Sequence, residues 1–85
     1  MLTIKGHVRR NGVGVAGAKV YWRSRPGAPW ALVATTDENG YYETKLNPVA
    51  TMPSPKDLKA EESGDKDEKN PVIGPPGPED VDFNL

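Results

Sequence analysis

The sequence predicts a small all-β sandwich followed by an extended, low-complexity C-terminal arm. Three observations carry this. Residues 2–9 alternate apolar and polar side chains, the period of a half-buried strand. Asp37-Glu38-Asn39-Gly40 stands between two strand-like runs and has the composition of a tight turn. From Pro48 onward the composition changes: seven of the nine prolines and only one aromatic, Phe83, lie there. The division is therefore a sandwich domain over 1–47 and a Pro- and charge-rich arm over 48–85.

In the first strand Leu2, Ile4, Gly6 and Val8 share one face, and Thr3, Lys5, His7 and Arg9 share the other. Arg10-Asn11-Gly12 opens a turn. Residues 18–24 form a second strand with Ala18, Val20 and Trp22 inward. The loop 25–29 holds two prolines, which a central strand does not accept. A third strand spans 30–36, with Trp30 half exposed beside the loop. The fourth spans 41–46 with Tyr42, Thr44 and Leu46 inward, so Tyr42 is expected buried and Tyr41 exposed. Gly40 is expected at positive φ. No helical periodicity occurs before residue 50.

The arm reads differently. Ser54-Pro55-Lys56-Asp57 has the pattern of a helix start, which predicts a short helix over 55–63 ended by Gly64. Leu58 is its one large apolar residue. Residues 65–70 read as solvated linker, and Gly74-Pro-Pro-Gly-Pro78 as a stiff polyproline spacer. Val81, Phe83 and Leu85 alternate onto one face, as in a strand that adds to an exposed sheet edge.

Eighty-five residues bound the chain to one small domain. A core of 47 residues is near the size where folding alone is marginal. Cysteine is absent, which removes disulfides, and no Cys/His cluster suggests a metal. Association is the rescue left. Residues 1–47 hold seven Lys or Arg against three Asp or Glu, a net +4; residues 48–85 hold four against nine, a net −5. Such an acidic tail can lie on its own basic head or on a neighbour's. The N-terminus lacks the features of a secretory signal. No apolar run reaches the roughly 20 residues a membrane helix needs.

The segments Ile4-Lys-Gly-His-Val8, Val15-Ala-Gly-Ala-Lys-Val20 and Thr35-Thr-Asp-Glu-Asn-Gly-Tyr-Tyr42 together resemble the carboxypeptidase regulatory-like domain. That family is a transthyretin-like (prealbumin-like), immunoglobulin-like β-sandwich. The resemblance covers residues 2–47. It implies that Tyr42 is the hairpin aromatic that enters the core. Family members continue with further core strands, typically about seven in all. At least two are missing from residues 1–47, so the sandwich is completed by the tail or by another chain, or stays open.

Candidate chemistry is sparse. His7, the one histidine, falls between Lys5 and Arg9 on the solvent side and reads as a surface residue. Asp37, Glu38 and Asn39 lack the spacing of a calcium loop. Gly12, Gly14 and Gly17 match a dinucleotide fingerprint in letters, but a strand follows where a helix is required. Arg9, Arg10, Lys19, Arg23 and Arg25 with Tyr21 make a modest basic surface; an acidic tail would compete with nucleic acid there.

The expected function is thus non-enzymatic, with no cofactor: a structural subunit of a larger assembly, of the virion decoration or tail type. It docks on protein partners, copies of itself included, through the C-terminal arm. Leu58, Val72, Ile73, Val81, Phe83 and Leu85 are the candidate partner-binding residues. The alternative is a ligand-binding or adhesive module of a bacterial surface protein.

Overall fold

The computed structural model describes residues 2–23, 27–46, 54–55, 57–73 and 78–85; of Leu2, Ser54 and Ile73 only the backbone is described. The regular elements among them are all strands: β1 (Leu2–Arg10), β2 (Val13–Gly14), β3 (Lys19–Arg23), β4 (Ala31–Thr35), β5 (Tyr41–Leu46), β6 (Ser54–Pro55), β7 (Asp57–Glu62), β8 (Asp65–Lys69), β9 (Val72–Ile73), β10 (Glu79–Asp80) and β11 (Phe83–Asn84).

Two sheets pack face to face. The first is built on β1. Strand β5 runs antiparallel to it from Leu2↔Leu46 to His7↔Tyr41, and β2 turns back onto Arg9 and Arg10. Strands β10 and β11 lie parallel to β1 in one register, with Ile4 opposite Glu79 and Val8 opposite Phe83. The second sheet has the order β4-β3-β7-β8, all neighbours antiparallel. Strands β6 and β9 form a separate short pair.

The hydrophobic alternation read from the sequence decides which face is covered. Ile4, Val8, Val20, Tyr42, Leu58 and Phe83 are the largest fully buried side chains. They come from both sheets, and Trp22, Val33, Ala34 and Leu85 pack against them. Tyr42 is buried and Tyr41 is only partly so.

The turn between β4 and β5 is built as its composition predicts. The Asp37 Oδ1 accepts the backbone N–H groups of Asn39 (2.8 Å) and Tyr41 (3.0 Å), an Asx turn. Gly40 has φ +81°, a conformation that disfavours any side chain. Just before it, buried Thr36 bridges two segments. Its hydroxyl donates to the Val15 carbonyl (2.5 Å) and accepts the Ala18 N–H (2.9 Å).

The tail is not an extended arm, and the division at residue 47 does not hold: β7, β8, β10 and β11 belong to the same two sheets as β1 to β5. The helix expected over 55–63 is strand β7. Leu58 and Ala60 alternate inward on it, opposite Trp22 and Val20 of β3. The capping pattern was a local signal; the open side of β3, with unpaired backbone groups and an uncovered inner face, outweighs it. The linker expected at 65–70 is largely strand β8. Ser63 (φ +51°) and Gly64 (φ +85°) join β7 to β8 in a two-residue turn with both φ positive, the geometry of tight hairpins. Of the polyproline spacer, residues 74–77 lie outside the described residues, as do 47–53 and residue 56 of the arm.

The C-terminal strand is seated by a glycine. Gly6 points inward between Ile4 and Val8, opposite Tyr42 on β5. A Cβ at Gly6 would overlap the Val81 carbonyl. That carbonyl accepts the Tyr42 hydroxyl at 2.6 Å. Tyr42 thus reaches across the bare position, as aromatic residues do over glycines in sheets.

Candidate interaction surface

The candidate partner-binding residues are mostly used by the chain itself. Leu58 (1% exposed) and Phe83 (0%) are in the core, as is Val81, and Leu85 packs against it. Their alternation, read as docking contacts, is the ordinary signature of core strands. Val72 alone among them is a large exposed apolar side chain, at 65%. Ile73 has its backbone in β9, and its side chain lies outside the described residues.

The charge contrast is spent within the chain as well. Arg9 meets Asp82 at 3.5 Å, Arg10 meets Glu62 at 2.8 Å and Asp65 at 2.9 Å, and Arg23 meets Asp57 at 2.7 Å. Each pair joins a basic residue of the first 47 to an acid of the tail. Arg23, with Asn70 as a second donor, holds the Asp57 carboxyl below its ordinary range. Ser63 and Arg10 do the same for Glu62. An open cavity of about 450 Å³ adjoins the Arg10 clamp, lined by Arg10, Val13, Gly14, Val15 and Glu62 among others. The one carboxylate among its described lining residues, Glu62, is held by Arg10.

His7 sits edge-on to Tyr41 with ring centroids 5.4 Å apart. Among the described residues no group of His, Asp and Glu is arranged to hold a metal ion.

The outer face of the four-stranded sheet carries a different kind of cluster. Because Val20, Leu58 and Ala60 point inward, Tyr21 and Lys59 point outward. Register sets Leu32, Tyr21, Lys59 and Glu68 in one row across β4, β3, β7 and β8. The Lys59 ammonium lies 4.9 Å from the Tyr21 ring centre and 4.7 Å from that of Trp30. The Arg23 guanidinium covers Trp30 at 4.2 Å. Such contacts contribute about 0.5–1 kcal/mol each when exposed and more when desolvated. The Lys59 side chain is only 14% exposed and also approaches Glu61 at 3.8 Å. Beside this stack Leu32 is 55% exposed.

The two edges of this sheet differ. Strand β8 reads Asp-Lys-Asp-Glu-Lys, every residue charged. Strand β4 reads Ala-Leu-Val-Ala-Thr, with no charge and no proline, and among the described strands it pairs with β3 alone. Charged side chains are a common guard on sheet edges, and β4 lacks them.

Sequence reasoning placed Trp30 as half exposed and Tyr21 on a basic, aromatic surface. It missed Lys59, Asp57 and Asn70, because their positions depend on β7 and β8 being strands. The available signals were the period-2 spacing of Leu58 and Ala60 and the Ser63-Gly64 dipeptide. No protein-family model matches the chain, and no curated protein matches it.

Proposed function

We infer that the chain is a non-enzymatic β-sandwich module that docks a protein partner within a larger assembly, through β4 and the adjoining outer face of its sheet. The carrying observation is the stack of Lys59 between Trp30 and Tyr21, with Arg23 on Trp30, beside exposed Leu32. Trp, Tyr and Arg are the residues that dominate binding energy at protein interfaces. Here they hold one another in place, so little side-chain freedom remains to be lost on binding. The backbone groups of β4 that face away from β3 pair with no other strand among the described residues and suit an extended partner segment that adds as a strand.

We also propose that the sandwich is immunoglobulin-like and prealbumin-like, of the carboxypeptidase regulatory-like kind. Support comes from the two packed sheets, the core position of Tyr42, and the tail strands that supply what residues 2–47 lack. A virion decoration or tail protein is its most specific form, by analogy with small cysteine-free assembly subunits. A second reading, a glycan-binding or adhesive module, draws on the two aromatic rings on the outer sheet face.

Affinity capture from the native source tests the proposal. The tagged chain and Lys66→Ala should retain the same partner. Leu32→Lys and Trp30→Ala should lose it, with melting temperatures showing that both variants fold. A partner kept by both patch variants would place the site elsewhere. Trp30-dependent binding to a glycan array, with no protein partner, would favour the adhesive reading.

A further inference from the structure

We propose that Asn11 is a site of spontaneous modification, where the side-chain amide is lost through a succinimide to leave an aspartyl or isoaspartyl residue. This goes beyond the β4 surface and does not depend on it. In the step, the Gly12 main-chain nitrogen gives up its proton and attacks the Asn11 Cγ. The N–Cγ bond forms, the Cγ–Nδ2 bond breaks, and ammonia leaves. Water then opens the ring at either carbonyl, so the sum is amide plus water to acid plus ammonia. The reaction needs a reachable amide, a following N–H that is free to act, and a main chain able to bring the two together, which glycine permits best.

The chain has five asparagines, and they differ in these terms. Pro48 follows Asn47 and Pro71 follows Asn70, and proline has no N–H to attack with. Leu85 follows Asn84, and its N–H is held by the Arg9 carbonyl at 2.8 Å. Asn11 and Asn39 are each followed by glycine, so by sequence they are equivalent.

The fold makes them unequal. Asn39-Gly40 is pinned along its main chain. The Asn39 N–H donates to the Asp37 Oδ1 at 2.8 Å, and the Gly40 N–H, the nucleophile, donates to the Asp37 carbonyl at 3.0 Å. The Gly40 carbonyl accepts the Val8 N–H at 2.8 Å. Gly40 is buried, and a Cβ on it would overlap the Val8 carbonyl and the Val15 nitrogen. Bringing the Gly40 nitrogen onto the Asn39 side chain means opening this packing first. Asn11-Gly12 is instead the tip of the β1–β2 hairpin, beyond the Arg10↔Val13 pair. Both residues are exposed, with φ of 53° and 80°. Apart from its chain neighbours, nothing lies within 4 Å of where a Gly12 Cβ would stand. Among the described residues the Gly12 N–H has no main-chain partner. Exposed hairpin tips of this kind open at little cost.

The product changes its surroundings. Arg10 meets Glu62 and Asp65 next to this turn, and the acid adds a negative charge beside that clamp. The isoaspartyl form inserts a side-chain carbon into the main chain of a two-residue turn, which disturbs the Arg9↔Gly14 and Arg10↔Val13 pairs. An exposed isoaspartyl residue is also the substrate class of a carboxyl methyltransferase.

The test incubates the full-length chain in mildly alkaline buffer, folded and in urea. Intact mass, peptide mapping and labelling with an isoaspartyl methyltransferase follow the reaction. In the folded chain the amide-to-acid mass gain should fall on Asn11, at least about tenfold faster than on Asn39, which waits on local opening. In urea the two Asn-Gly steps should converge. Asn11→Asp should abolish the mass gain of the folded chain. A folded chain in which Asn39 reacts as fast as Asn11 would overturn the proposal, as would an Asn11 that stays intact. Rates that remain apart in urea would overturn it too, since neighbouring residues rather than the fold would then set the order.

Discussion

The Tyr42 hydroxyl donates to the Val81 carbonyl at 2.6 Å, in the core, across 39 positions of sequence. One bond thus ties the second half of the β4–β5 hairpin to the C-terminal strand. Burial raises the pKa of this phenol, with Asp82 and Asp80 adding to the shift, so it stays a donor throughout the ordinary pH range.

Tyr42→Phe removes the donor and leaves the Val81 carbonyl buried and unpaired. The expected loss is about 1–3 kcal/mol. Tyr42→Ala also opens a cavity and should lose about 3–5 kcal/mol. Urea unfolding of both variants checks the order; equal stability of Tyr42→Phe and wild type would remove the bond from the account.

Gly6→Ala sets a methyl group where the Val81 carbonyl lies. Crowding of this kind in a packed interior typically costs about 1–3 kcal/mol. The effect should be local, so the Phe83 ring resonances should shift most in NMR spectra. A Gly6→Ala protein with wild-type stability and an unshifted Phe83 would contradict the close approach.

Leu58 and Val72 were equivalent as arm residues in the sequence, and the structure separates them. Leu58→Ala should cost about 2–5 kcal/mol as a core truncation. Val72→Ala, at an exposed site, should stay within about 0.5 kcal/mol. Comparable losses in denaturant unfolding would mean that β7 is not a core strand.

Acid should weaken the fold through Asp57 and Glu62. Both carboxyls sit below their ordinary values of 3.8 and 4.5 in the folded chain. Their stabilisation is present above those values and is lost as pH falls through the depressed folded values. Melting temperature should therefore drop as pH falls below about 4.5. Asp57→Asn should flatten that slope; an unchanged slope would show that the Arg23 pair does not carry it.

The first half of the chain was legible because its signals are local. Ile4 and Val8 alternate, Asp37 to Gly40 spell a turn, and Tyr42 falls inward by parity. The second half was legible only at its end, where Val81, Phe83 and Leu85 alternate as in a strand that adds to a sheet edge, and β11 does pair with β1; Leu58 and Ala60 become core only against β3, which lies far away in sequence. Charged residues on β7 and β8 hid those strands, and Ser54-Pro55 supplied a competing helical cue. The Lys59 stack follows from the same long-range pairing, so half of the candidate surface had no local signature.

The unequal edges of the four-stranded sheet bear on how far strand addition can run. A segment that pairs with β4 extends the sheet on that side. The fully charged β8 offers no comparable template on the other. Two copies could join through β4, but neither would then present a second receptive edge on that sheet. Through this sheet alone, pairing would stop at two copies, whereas two receptive edges would let a fibre grow.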